Sequence, residues 1–292
     1  MAAMSSVALL ADSTADVPPG EAARLNVAIV PLTLQIGGQI FSDPGTLPLP
    51  GATVLAPTEL YARMRQGDVP RTSQATPAQF EVHYRLLLQE AERVLCFPVS
   101  STFSGTYNSA LAAARPFGDK VRVVDTRTVT AGLWGALRQA RAWLDAGRGA
   151  DEVANKLENY GARVFLQFAP QDLRWLIAGG RVGRLAGAAA SLLSIKPILA
   201  IESGAVKAAS RARGFSAALR QMAVNFPANR EAVVLHADNV QGAGVLRDLL
   251  SARGARLLGT VVAGGVLGVH AGPGTVGVVG LPPLDQAPQG GS

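Results

Sequence analysis

Two clusters of side-chain hydroxyls in this sequence go beyond what packing requires. Ser100-Ser101-Thr102-Phe103-Ser104-Gly105-Thr106 places five hydroxyls within seven residues, between an apolar run and a helix-like segment. Arg71-Thr72-Ser73-Gln74 stands between Pro70 and Pro77, just ahead of a second helix-like segment. Ser and Thr cap helices routinely, and capping accounts for any single hydroxyl here as well as a ligand does. A cap does not need five. A hydroxyl-rich turn at a helix N-terminus, with backbone N–H groups facing outward, can hold an anion such as a carboxylate or phosphate. The pattern does not say which anion.

Other signatures are weak. Gly272-Pro273-Gly274-Thr275-Val276-Gly277 has the spelling of a dinucleotide loop. No βαβ unit can follow it in the chain that remains, so a tight turn near a ligand is the better reading. There is no P-loop, no G-x-S-x-G elbow and no H-E-x-x-H. His83, His236 and His270 lack metal-ligand spacing. A stand-alone serine hydrolase or small-molecule phosphotransferase using Ser104 or His270 stays open, because a triad is defined by geometry and not by order.

Elements must hold these clusters in place. Apolar runs at residues 7–11, 28–34, 94–99 and 121–124 alternate with helical patterns at 78–92, 106–114 and 131–146. Such alternation predicts a mainly parallel sheet covered by helices. Ligands of open α/β sheets bind beyond the carboxyl ends of strands, which directs attention to the polar residues after Ala11, Val99 and Val124. A second unit starts near Gly161. It is read as strands at 163–168, 232–236 and 257–262, a hairpin over 198–209, and helices at 215–224 and 241–252. The fold class is therefore α/β with two domains, residues 1–160 and 161–284, a ligand between them, and a flexible tail at 285–292.

Composition narrows the partners. The 292 residues are 48% hydrophobic and 16% charged, with a net charge of +6 carried mainly by scattered Arg. That suits an anionic ligand but lacks the basic run of a nucleic-acid arm. The single Cys96 cannot form an internal disulfide, so the reducing cytoplasm is the expected compartment. Residues 1–6 show no secretory leader. Residues 257–281 are too broken by glycine to span a membrane.

Taken in order, these residues make the chain resemble the DegV family of bacterial fatty-acid-binding proteins. The matching stretches are Asp12-Ser13-Thr14-Ala15-Asp16, Val30-Pro31-Leu32, Thr72-Ser73-Gln74 and Ser100-Ser101 through Ser104-Gly105-Thr106-Tyr107-Asn108-Ser109-Ala110. Val124-Asp125-Thr126, Gly179-Gly180-Arg181-Val182, Lys196-Pro197-Ile198-Leu199, His236-Ala237-Asp238-Asn239 and His270-Ala271-Gly272-Pro273-Gly274 follow. The resemblance implies a long-chain fatty acid such as palmitate in a tunnel between two domains, with no catalysis and no cofactor. It implies Thr72 and Ser104 as carboxylate ligands, with Ser101 and Ser73 nearby. It also implies a fatty-acid kinase catalytic subunit as partner, and Arg181, Arg211, Arg213 and His270 at the mouth, where an acyl-phosphate or the kinase would be met. Ala75 stands where the family commonly has Pro, and residues 43–55 are unusually rich in Pro, Leu and Gly.

Overall fold

Every residue of the first strand, Val7–Asp12, is buried, as the centre of a parallel sheet covered on both faces demands. The structure is a computed structural model that describes residues 7–181 and 195–285. The expected absence of a leader in residues 1–6, the end of the glycine-rich turn with the apolar segment up to 194, and the tail from 286 lie outside the described residues.

In chain order the first half comprises β1 (Val7–Asp12), α1 (Glu21–Leu25), β2 (Val27–Val30), β3 (Thr33–Ile36), β4 (Gln39–Ser42) and β5 (Thr53–Val54). Then come α2 (Pro57–Arg65), β6 (Arg71–Ser73), α3 (Pro77–Leu87), β7 (Arg93–Phe97), α4 (Thr106–Ala114), β8 (Val121–Val123), α5 (Ala131–Asp145) and α6 (Ala150–Leu157). The second half runs β9 (Phe165–Ala169), α7 (Arg174–Ala178), β10 (Ile195–Glu202), β11 (Ala205–Arg213), α8 (Phe215–Asn225) and β12 (Glu231–His236). It ends with α9 (Val240–Ala252), β13 (Arg256–Val262), α10 (Gly265–Ala271) and β14 (Val276–Leu281).

Three sheets form among the described residues. The first is parallel throughout, in the order β2-β1-β7-β8. A small sheet, β5-β4-β3-β6, and a six-stranded mixed sheet, β11-β10-β9-β14-β12-β13, complete the set. The period of two along β1 sends Leu9 and Ala11 to one core with α5 and α6, and Ala8 and Leu10 to another with α3 and α4. Helix α5 is shared: its buried side meets β1 residues and also Leu281 of β14, and a Cβ on Gly135 would stand 2.5 Å from Leu281 Cδ2.

Two features depart from the sequence reading. Residues 28–34 are not one strand but two, β2 and β3, in different sheets. Pro31, which has no N–H to donate, stands where the chain crosses over. Helix α10 and strand β14 lie in the stretch that reads as glycine-broken. In α10 the glycines serve close packing, since a Cβ on Gly268 would stand 2.4 Å from Tyr61 Oη. That contact seats α10, from the second half of the sequence, against α2 and the small sheet.

Candidate functional site

A cavity of about 410 Å³ opens where the three sheets meet. The carboxyl ends of β1 and β7 contribute Thr14 and Val99, and β6 brings Thr72 and Ser73 from the edge of the small sheet. Leu166 and Phe168 of β9, Leu235 of β12 and Gly277 of β14 form its floor. Phe168, Gly277 and Leu235 are direct cross-strand neighbours, so the missing side chain of Gly277 leaves room along one row of that floor. Ile201 and Val206 of the β10–β11 hairpin close one side, and Val266, Leu267 and His270 of α10 another. The lining is mainly apolar, with Thr72, Ser73, Gln74, Ser104 and His270 grouped on it and Thr14, Thr130, His236 and Thr275 elsewhere.

Of the residues expected at the site, Thr72, Ser73, Ser104, Arg181 and His270 line this cavity. Thr72 Oγ1 lies 2.9 Å from His270 Nε2. Burial, helped by the positive charge of Arg181, pushes the His270 pKa down to about 4, so the ring is neutral near pH 7. Its Nδ1 is buried, has no hydrogen-bond partner among the described residues, and faces the backbone of Gly179, where a Cβ would come within 2.3 Å. Arg181 is exposed at the rim and donates to the carbonyls of Gly179 (2.5 Å) and Phe103 (3.4 Å).

The five hydroxyls of the turn divide their tasks. Ser104 Oγ lies 2.8 Å from Thr106 Oγ1 and accepts from Thr106 N–H at 3.2 Å, at the start of α4. Ser101 does not line the cavity. Its hydroxyl donates to Asp125 Oδ2 at 2.5 Å, which ties the turn to the segment after β8. Ser100 and Thr102 bond to each other at 2.8 Å, and Thr102 donates to the Gly204 carbonyl. Arg211 and Arg213 are exposed on β11 and do not line the cavity either.

Sequence reasoning pointed to Asp12 and included Asp16, but gave no task to the acids behind the wall and passed over Asp43. Asp12, fully buried, accepts from Val99 N–H (2.6 Å), Thr14 N–H (2.9 Å) and Thr14 Oγ1 (2.5 Å). It thereby locks the ends of β1 and β7 together. Asp16 accepts from Thr130 Oγ1 (2.7 Å) and Gly264 N–H (2.9 Å), and Asp43 accepts from Gly265 N–H (3.1 Å). Burial pushes both up to about 7, against the pull of those hydrogen bonds. The pair clasps the start of α10, the helix that carries His270 in its last turn. The glycine turn after α10 has a packing reason: Gly272 and Gly274 have positive φ, and Cβ atoms there would strike Trp175 and Gln171.

With this geometry in hand, comparison with known proteins is decisive about kinship. The family model described as "Uncharacterised protein, DegV family" matches residues 6–282. The chain belongs to the DegV family. A DegV domain-containing protein of Deinococcus radiodurans is 34% identical to it over 96% of this chain and 99% of the relative. A protein of Thermotoga maritima named "Fatty acid-binding protein" is 31% identical, covering 93% of this chain and 96% of its own length. The solved structure of a DegV family protein from Thermus thermophilus, described as fatty acid binding, superposes with a TM-score of 0.86 at 33% identity. It covers 95% of this chain and 99% of its own. The DegV fold thus accounts for both the parallel sheet flanked by helices and the overall arrangement.

Proposed function

We propose that this DegV chain binds a long-chain fatty acid in the cavity, with the carboxylate at Thr72 and Ser104 and the tail along the floor of Phe168, Gly277 and Leu235. The observation that carries the reading is the cavity's make-up: Thr72, Ser104 and His270 meet in it with a row of apolar side chains from β9 and β12 and the bare backbone of Gly277. Burying about fourteen methylenes at roughly 0.8 kcal/mol each yields about 11 kcal/mol gross. A neutral hydrogen bond adds only about 1 kcal/mol net. The tail therefore supplies affinity and the hydroxyls supply direction.

Both hydroxyls are prepared as donors. A neutral His270 protonated at Nε2 donates to Thr72 Oγ1, which frees the Thr72 proton for a carboxylate oxygen. This tautomer leaves a lone pair, rather than an N–H, unpaired at the buried Nδ1. Ser104 Oγ accepts from Thr106 N–H, and with Thr106 Oγ1 as donor in their hydroxyl contact its own proton is free as well. The N-terminus of α4 and the charge of Arg181 add positive potential. Ser73 and Arg181 are exposed at this end, so a bound carboxylate lies within reach of a partner.

In this reading the two domains, 1–160 and 161–284, close on the ligand, and the chain works in the cytoplasm as a non-catalytic carrier. It presents the carboxylate to a fatty-acid kinase catalytic subunit, with Arg181, Arg211 and Arg213 as the cations nearest the acyl-phosphate or the kinase. A serine hydrolase needs a base at its nucleophile. Ser104 is bonded to Thr106, and His270 to Thr72, which favours the carrier. Titration with a fluorescent fatty acid, then displacement by palmitate, tests binding. Adding a purified fatty-acid kinase and ATP tests presentation. Absence of saturable, displaceable binding would refute the carrier reading, and binding without acyl-phosphate formation would refute the kinase role alone.

A further inference from the structure

We infer that the β10–β11 hairpin is a flap over the cavity, latched shut where its tip docks on the hydroxyls of Ser100 and Thr102. The inference rests on the cavity being the fatty-acid site.

The tip is a two-residue turn between the paired Glu202 and Ala205. Ser203 and Gly204 have φ of 50° and 75°, the left-handed pair that a tight hairpin requires. Gly204 is also needed for space. A Cβ there would stand 2.5 Å from Thr102 Oγ1 and 2.7 Å from Ser100 Oγ. Thr102 Oγ1 donates to the Gly204 carbonyl, so its remaining hydroxyl contact, 2.8 Å to Ser100 Oγ, has Ser100 as donor. A relay of two hydroxyls thus ends on the carbonyl of the tip. Ser100 is fully buried at the base of this relay, while Thr102 stands at the surface.

Two further observations give the tip freedom and a purpose. The hairpin joins the rest of its sheet through only two register pairs, Leu199 with Phe168 and Ala200 with Gln167. Ile198, at the base, is anchored in the core under α8. Beyond Ala200 the two strands pair only with each other among the described residues, while Ile201 and Val206 rest on the first core and the tip makes its own contact. Within that outer part, Ile201 and Val206 are directly paired, and both line the cavity. Lifting the tip therefore removes one apolar wall while the floor and α10 stay in place. The latch is also built on the turn that carries Ser104, so closure over the tail and reception of the carboxylate share one segment.

Thr102→Val removes the donor with little change of shape, and Thr102→Ser restores it. Stopped-flow mixing with an anthroyloxy-labelled stearic acid reads association and dissociation separately. Hydrogen exchange of the amides at residues 202–206, without ligand, reads the latch itself. In Thr102→Val both rates are expected to rise about fivefold, the factor carried by one neutral hydrogen bond, with Kd changed by less than about twofold. Amide exchange at the tip should quicken, and Thr102→Ser should return both readouts to wild type. Wild-type rates and wild-type tip exchange in a folded Thr102→Val would overturn the flap, as would faster exchange with an unchanged dissociation rate. If the wild-type protein takes up no labelled acid, the fatty-acid reading fails first, and tip exchange still decides whether Thr102 holds the hairpin.

Discussion

Thr72 Oγ1, on the edge strand β6, lies 2.9 Å from His270 Nε2, at the end of α10 and 198 positions further along the chain. This contact joins a strand of the first half to a helix of the second at the grouped polar residues of the cavity. The neutral imidazole orients the hydroxyl, and the hydroxyl can turn its proton toward a carboxylate.

The same geometry separates hydroxyls that look alike in sequence. Thr72→Val and Ser104→Ala should each weaken fatty-acid affinity about fivefold, and the pair about thirtyfold, at roughly 1 kcal/mol per neutral hydrogen bond. Ser101→Ala should leave affinity unchanged, because its hydroxyl serves Asp125. Fluorescent displacement titrations on the three variants check this, and equal losses for Ser101 and Ser104 would reject the division of roles.

Filling the floor should weaken binding without unfolding the chain. Leu235 lines the cavity beside Gly277, and Leu235→Trp places a larger ring in space meant for the acyl tail. Its cost to stability should stay near or below about 1 kcal/mol, because overpacking strain is relieved by the cavity. Affinity should fall more than about tenfold with the loss of a few buried methylenes. A thermal melt and a titration on the same sample measure the two effects.

Asp12 is a structural counterpart. Asp12→Ala leaves the donors of Val99 N, Thr14 N and Thr14 Oγ1 without an acceptor, at about 1–3 kcal/mol each. Denaturant unfolding should show a loss of at least about 3 kcal/mol, with Asp12→Asn milder because one oxygen remains.

The pH dependence follows from the acids at α10. Asp16 and Asp43 titrate near 7 when folded and near 3.8 when not, so the stability they contribute is complete below 3.8 and lost as pH rises through 7. His270 acts in the opposite sense: its folded pKa of about 4 against 6.5 means stability lost as pH falls between those values. Two carboxyls outweigh one imidazole. Asp43→Asn, neutral at every pH, should therefore melt above wild type at about pH 8 and lose that advantage steadily on acidification, fully only below 3.8. Differential scanning calorimetry across this range checks the trend.

Much of the frame was legible because its signals are local. The apolar runs ending at Asp12, Val99 and Val124 are visible in sequence, and the cavity does open beyond the carboxyl ends of β1 and β7. The division of labour among Ser100, Ser101, Thr102 and Ser104 was not legible. Side chains of the same type in one turn differ only in the partner brought to them, and Asp125 and Gly204 arrive from elsewhere in the chain. Helix α10 was hidden by its glycines, whose low helix propensity is overridden by packing against Tyr61. Phe168 and Leu235 could not be told from ordinary core residues, since a tunnel wall and a core share the same side chains. Asp16 shows in sequence only as part of the stretch from Asp12, with nothing to say what it holds, and Asp43 carries no signal beyond being an acid.

Native mass spectrometry of the protein as purified from cells tests the central claim most directly. The predicted result is one bound species per chain, with the mass of a long-chain fatty acid, depleted in Leu235→Trp and released on denaturation. A wild-type chain that carries nothing, and still carries nothing after incubation with palmitate, would contradict it.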